Sequence, residues 1–306
     1  MSAGRYNRLM DSEAMVVPLA RPGRVADFIT ISKLRLNALV VATAAAGYYL
    51  GDAGDGGGWM RAASVIGGTT LVAAAASALN QAYERRTDRL MERTRLRPLA
   101  DGRLRARDAA VFAIASATLG LAWLTLGANA LSAFVAFAAL ITYAGMYTPL
   151  KPITPLAAVI GAVPGALPPM IGWTAATGQL TREAWVLFAI VFLWQMPHFQ
   201  AIAWLYRDDY ARAGFPLLVV TEPDGRSAAR QVLTYGAVLI PVSLVPAAIG
   251  LASPIYLAGA SALGVGYLLL GARFARRRTR ATALRLFLGS LIYLPLMWVL
   301  MLATRA

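Results

Sequence analysis

"TTLVAAAASALNQAYERRTDRLMERTRLRPL", Thr69 to Leu99, runs without a break from alanine, leucine and valine into three acids and six arginines. The apolar half, with the residues before it, is long enough to cross a hydrocarbon core of ~30 Å. The charged half has no place in hydrocarbon, so it marks where the chain returns to water. Runs of the same kind fall near 28–50, 62–79, 109–127, 130–148, 157–177, 184–205, 232–252, 254–272 and 284–303. The expectation is an all-α polytopic membrane protein with nine transmembrane helices.

Composition agrees. The chain is 58% hydrophobic and 14% charged, with a mean hydropathy of +0.57, too apolar for an ordinary soluble domain. Its net charge of +14 comes from 29 basic residues against 15 acids. Short cytosolic loops collect Lys and Arg, and with the N-terminus cytosolic the alternation of nine spans puts 26 of those 29 inside. Only Arg61, Arg182 and Arg305 fall outside. The basic excess is therefore a topology signal rather than the compact basic surface of a nucleic-acid binder, and no nucleic-acid partner is expected. Cysteine is absent, which excludes disulfides and thiolate metal sites. Residues 1–27 mix acids and arginines without the apolar run of a signal peptide and read as a cytosolic tail, with 28–306 as one membrane domain. Arg- and Ala-rich usage points to a bacterial inner membrane.

Asn80, Glu84 and Asp88 follow the second span at i, i+4 and i+8. If the helix continues, all three project from one side. Acids near a helix C-terminus oppose the macrodipole, so helix energetics do not explain them. They either pair with Arg85, Arg89 and Arg93 on a solvated loop or serve a ligand. A second case follows the sixth span, where "HFQAIAWLYRDDYARAGFPLL", His198 to Leu218, carries Asp208 and Asp209 before the stop signals Gly214 and Pro216. The two loops share a side and offer carboxylate and amide oxygens suited to Mg²⁺. Arg93, Arg97, Lys151 and Arg207 lie on that same side. Carboxylate-held Mg²⁺ with interleaved arginines is the chemistry of a diphosphate, and over an apolar bundle its tail is an isoprenoid. Alternatively, the same basic rim suits a transporter of an anionic lipid or heme.

The same residues carry a family resemblance. Asn80, Glu84, Asp88, Met91, Arg93, Thr94, Arg97, Pro98 and Leu99 stand in the pattern N-x-x-x-E-x-x-x-D-x-x-M-x-R-T-x-x-R-P-L. "PHF" at Pro197 and "YRDDYARAGFPLL" at Tyr206 match a second motif, and "YTPLKPITP" and "GAVPGALPPMIGWTAATG" match the text between. This resembles the heme O synthase (protoheme IX farnesyltransferase) branch of the UbiA superfamily of intramembrane prenyltransferases, from about Asp27 to the C-terminus. Quinone-precursor and chlorophyllide prenyltransferases of the superfamily carry a different first motif. Three departures stand out: Pro152 where the branch has Arg, Leu156 for a polar residue, and Leu34 for a proline between Lys33 and Arg35.

The resemblance implies transfer of a farnesyl group from farnesyl diphosphate to a vinyl group of heme B, with water adding and diphosphate leaving. It implies Asn80, Glu84, Asp88 and Asp208 or Asp209 as Mg²⁺ ligands, and Arg93, Arg97, Lys151 and Arg207 as a diphosphate clamp. Asp88, Asp208, Asp209 and Lys151 are then the catalytic set. The membrane, the two substrates and a downstream heme A synthase are the expected partners. His198, the only histidine, with Trp194 and Tyr206, is expected on the heme. On one continuous helix, His198 and Asp209 share a face and are offset by ~16 Å. His198 could equally hydrogen-bond a neighbouring helix. The prolines from Gly161 to Gly172 either open a cavity or make a tight helix crossing, and Trp173 and Trp204 either line the pocket or anchor at the interface.

Overall fold

The structure, a computed structural model, describes residues 23–52 and 58–305, so most of the expected N-terminal tail lies outside the described residues. Among the described residues the regular elements are all helical. They are α1 (Arg24–Ser32), α2 (Leu34–Gly51), α3 (Gly58–Asp88), α4 (Ala106–Gly127), α5 (Ala130–Leu140), a π-helical segment (Ile141–Tyr147), α6 (Thr148–Leu150), α7 (Ala157–Ala166), α8 (Pro168–Thr177), α9 (Arg182–Leu205), α10 (Arg207–Arg212), α11 (Leu218–Thr221), α12 (Arg226–Ala248), α13 (Ile255–Arg277) and α14 (Arg280–Ala303). Among the described residues eight helices are long and apolar enough to span a bilayer, and nine if α1 and α2, bent by 43° at their junction, are counted as one span. Helices dominate because a chain in lipid must satisfy every backbone polar group within itself.

The spans pack as neighbours in a ring: α2 on α3 and α8, α3 on α4, α9 on α12 and α14, and α14 back on α2. Small residues bring backbones together where side chains could not. A Cβ on Gly120 of α4 would stand 2.8 Å from the Gly68 carbonyl of α3, and one on Gly172 of α8 would run into the backbone of Ala44 and Tyr48 on α2. The stretch from Gly161 to Gly172 is accordingly a tight crossing, with Pro164, Pro168 and Pro169 buried and the span broken at Leu167 between α7 and α8. Outward, Leu126, Ile114 and Leu119 are exposed, as a surface bathed in acyl chains requires.

At the other end from the acidic loops, Arg305 donates to the Tyr49 carbonyl at 2.8 Å and to that of Asp52, and its guanidinium lies 5.3 Å from the Tyr49 ring centre. The last residues are thus tied to the end of α2, which closes the ring.

Candidate functional site

α3 continues to Asp88, nine residues past the expected span, and this extension sets Asn80, Glu84 and Asp88 in line. They are 3%, 5% and 1% exposed. Such burial rules out the solvated loop, as do the partners. Arg85 and Arg89 instead donate to the Ala82 and Ala100 carbonyls.

Each member of the row meets a partner from a different part of the chain. Lys151, just after the π-helical segment and α6, reaches Glu84 Oε1 at 3.0 Å. One nitrogen of Arg97 donates to both oxygens of Asp88, at 2.9 and 3.0 Å. Asn80 donates to Thr148 Oγ1 at 3.2 Å and accepts from Lys33 Nζ at 3.4 Å. A buried charge without a partner is very costly, so these pairs hold the row in place. Burial alone would lower the Lys151 pKa, but Tyr147, Glu84 and Tyr210 outweigh it and hold the ammonium above the ordinary lysine range.

The second acidic loop closes over the first. Asp209, buried at the start of α10, accepts the Glu92 backbone N–H at 3.3 Å and a hydrogen bond from Arg212. Met91 packs in one apolar cluster with Tyr210, Ala213 and Phe215. The Lys151 ammonium lies 4.7 Å from the Phe215 ring centre, and the Arg93 guanidinium 4.8 Å from that of Tyr206. An open pocket of about 390 Å³ lies between the loops, lined by Glu92, Arg93, Tyr206, Asp208, Asp209, Arg212 and Arg280. A smaller hollow of about 80 Å³ runs beside it, where Lys151, Tyr147, Tyr210 and Gln200 meet an otherwise mainly apolar wall that includes Ala157, Phe199, Ala203 and Leu217. A charged pocket together with a mainly apolar hollow suits an amphiphile with a phosphorylated head.

Not every expected residue comes to one place. The helix expected to run from His198 through Asp209 ends at Leu205 and restarts at Arg207, because Tyr206 takes φ −118°, ψ 24°. The single-face argument linking His198 to Asp209 therefore fails. Tyr206 sits in the loop pocket, whereas Trp194 and His198 stack together, rings 5.0 Å apart, at the α9–α14 contact. Asp208 has 86% of its side chain exposed, 3.5 Å from Arg207, and Arg207 lies over Trp204. Trp173 donates to Thr181 at 3.0 Å, beyond the far end of α8. Among the described residues no three acidic or histidine side chains form one metal cluster. The donors instead form two groups, the Asn80–Glu84–Asp88 row on α3 and Asp209 on the second loop.

Four participants were not expected from the sequence. Lys33, in the left-handed region at φ 48°, takes up the bend between α1 and α2 without the proline expected beside it; an ionisable residue inside an apolar run was the available signal. Thr148 is delivered by the π-helical turn, a feature frequent at functional sites that leaves no mark in local sequence. Arg212 and Glu92 were two among many charges.

Comparison with known proteins places this geometry. A sequence profile of the UbiA prenyltransferase family matches residues 40–300. The chain is 46% identical to the protoheme IX farnesyltransferase of Solibacter usitatus, over 91% of this chain and 98% of that one. It is 38% identical to that of Koribacter versatilis over 97% and 99%, and 42% identical to that of Myxococcus xanthus over 89% and 92%. Among solved structures, a digeranylgeranylglyceryl phosphate synthase superposes with a TM-score of 0.77 at 14% identity, covering 92% of this chain and 98% of that one. A UbiA homolog from Archaeoglobus fulgidus bound to GPP and Mg²⁺ gives 0.66 at 17%, covering 90% and 99%. At those identities the likeness is one of fold.

Proposed function

The chain belongs to the UbiA prenyltransferase family, and from that premise we infer that it transfers the farnesyl group of farnesyl diphosphate to a vinyl group of protoheme IX. The observation that carries the acceptor is the near full-length identity of 38–46% to relatives named for this reaction. The transporter reading has no comparable support, nor do quinone precursors or chlorophyllide as acceptors.

The donor site is the gap between the two acidic loops. Asn80, Glu84 and Asp88 from below and Asp209 from above supply only amide and carboxylate oxygens, a set that fits Mg²⁺, and the A. fulgidus homolog was solved with that ion and a prenyl diphosphate. Held there, the ion would supply charge neutralisation for the diphosphate. Arg97 and Lys151, which balance Asp88 and Glu84, and Arg93 at the pocket wall are the cations assigned to the phosphates. Arg207 is assigned the outer rim, given its exposure. As the farnesyl C1–O bond breaks, the leaving diphosphate gains charge, and fixed cations that need no reorganisation stabilise it. The vinyl carbon closes on C1, and water adds to the neighbouring, now electron-poor carbon, giving up one proton to solvent to leave a hydroxyl. His198 and Trp194 are assigned to the porphyrin, and Tyr206 to the passage between porphyrin and diphosphate.

The arginine distribution supports a cytosolic N-terminus and cytosolic acidic loops; the membrane is assigned as a bacterial inner membrane, and the product as the substrate for a heme A synthase. A competition assay tests the acceptor. Purified protein with labelled farnesyl diphosphate is offered heme B, an aromatic acid and chlorophyllide; label on heme B alone is expected, and label only on another acceptor overturns the assignment.

A further inference from the structure

The environment of His198 determines which of its ring nitrogens carries the proton. His198 Nδ1 lies 2.7 Å from Ser290 Oγ, and the same Oγ lies 2.5 Å from the Phe287 carbonyl oxygen. Each of these contacts needs a hydrogen between its heavy atoms, since two bare oxygens at 2.5 Å repel. A carbonyl has no hydrogen to give, so the hydroxyl hydrogen of Ser290 must point at Phe287. That leaves Ser290 only lone pairs toward the imidazole, and the second hydrogen must sit on His198 Nδ1. In the neutral ring Nε2 is then the unprotonated nitrogen.

The ring is also held in plane. It stacks on Trp194 at 5.0 Å and 22°, and lies against Phe287 at 5.3 Å and 32°. Trp194 is fixed in turn, because its Nε1 donates to the Ser290 backbone carbonyl at 3.0 Å. One residue of α14 thus anchors both aromatic side chains of α9. The free edge of His198 is not sealed, since the residue is half-buried whereas its neighbours Trp194, Met196 and Pro197 are buried. A rigid neutral imidazole, with Nδ1–H tied to a hydroxyl and Nε2 open, is the standard arrangement of a histidine poised to coordinate metal.

We infer that Ser290 is a positioning residue that fixes the tautomer and plane of His198, so that Nε2 serves as an axial ligand to the iron of the porphyrin acceptor. The inference rests on heme B being that acceptor. It resolves the two readings of His198 by giving one nitrogen to the neighbouring helix and the other to the ligand.

The test is optical titration of purified protein in detergent with heme B alone, without farnesyl diphosphate, read at the Soret and visible bands. The parent is expected to show histidine-ligated heme. His198→Ala should lose that spectrum, and Ser290→Ala should weaken heme binding by about 10- to 100-fold, the usual effect of removing a partner that orients a metal ligand. Ser290→Thr, which keeps the hydroxyl, should restore it, and all variants should keep the parent's Kd for farnesyl diphosphate. Parental heme affinity and spectrum in Ser290→Ala would overturn the positioning role, as would a histidine-ligated spectrum surviving in His198→Ala; either result leaves the acceptor assignment standing. A parent that binds farnesyl diphosphate but neither binds nor prenylates heme B would remove the acceptor assignment, and this inference with it.

Discussion

Lys151 and Glu84 meet at 3.0 Å with 13% and 4% of their side chains exposed, so removing either leaves a buried charge without its counterpart. Lys151→Met is expected to destabilise by about 3–5 kcal/mol. Lys151→Met with Glu84→Leu should recover much of that stability, because neither charge then remains, while recovering no activity. Thermal midpoints and turnover on the same preparations separate the two effects. The pH dependence follows from the raised pKa of Lys151. A group whose pKa is raised on folding contributes its full stability below its unfolded value, about 10.4, and loses it only as pH rises through the folded value. The stability gap between parent and Lys151→Met should therefore stay flat from neutral to mildly alkaline pH. The adjacent aspartates offer a sharper contrast. Asp209 is buried against the Glu92 backbone and Arg212, whereas Asp208 is exposed, so Asp209→Asn should lower kcat by about 10²-fold or more and Asp208→Asn by much less.

Among elements, length and apolarity made the spans readable: each expected run corresponds to a helix or bent pair, and the i, i+4, i+8 row was visible because its helix does continue. The interruptions were not readable. Those at Lys33, in the π-helical segment and at Tyr206 follow from contacts with residues far along the chain, such as Lys33 with Asn80 and Arg93 with Tyr206. Local propensity carries no trace of such partners. For the same reason the acids and the cations Arg97 and Lys151 were legible as sets, but which cation pairs with which acid was not: Lys151 and Glu84 are 67 residues apart. The prolines between Gly161 and Gly172 fitted two architectures until the α2–α8 crossing chose the tight one. Gly172→Ala, which would drive a Cβ into the α2 backbone, should lower stability by about 1–3 kcal/mol and reduce the thermal midpoint in detergent. Gly266→Ala, with nothing within 4 Å of the added carbon, should leave it unchanged or raise it slightly.

For the whole molecule, the charge asymmetry across the bundle ties orientation to the proposed function, since the end that carries the arginines also carries the proposed donor site. The natural absence of cysteine makes this directly measurable. A single cysteine at Arg95 should react with a membrane-impermeant thiol reagent only when the cytosolic face is exposed, and one at Gln179 only from the opposite face. The reverse pattern would contradict the proposed orientation. Farnesyl transfer to heme B is proposed to rest on two facing acidic loops whose carboxylates Glu84, Asp88 and Asp209 are buried. The most direct measurement is the mass of the porphyrin after purified protein is incubated with heme B, farnesyl diphosphate and Mg²⁺, alongside Asp88→Ala and a chelator control. A gain of farnesyl plus water that disappears in both controls is predicted; an unchanged porphyrin mass from folded protein, or a gain that persists in Asp88→Ala, would contradict it.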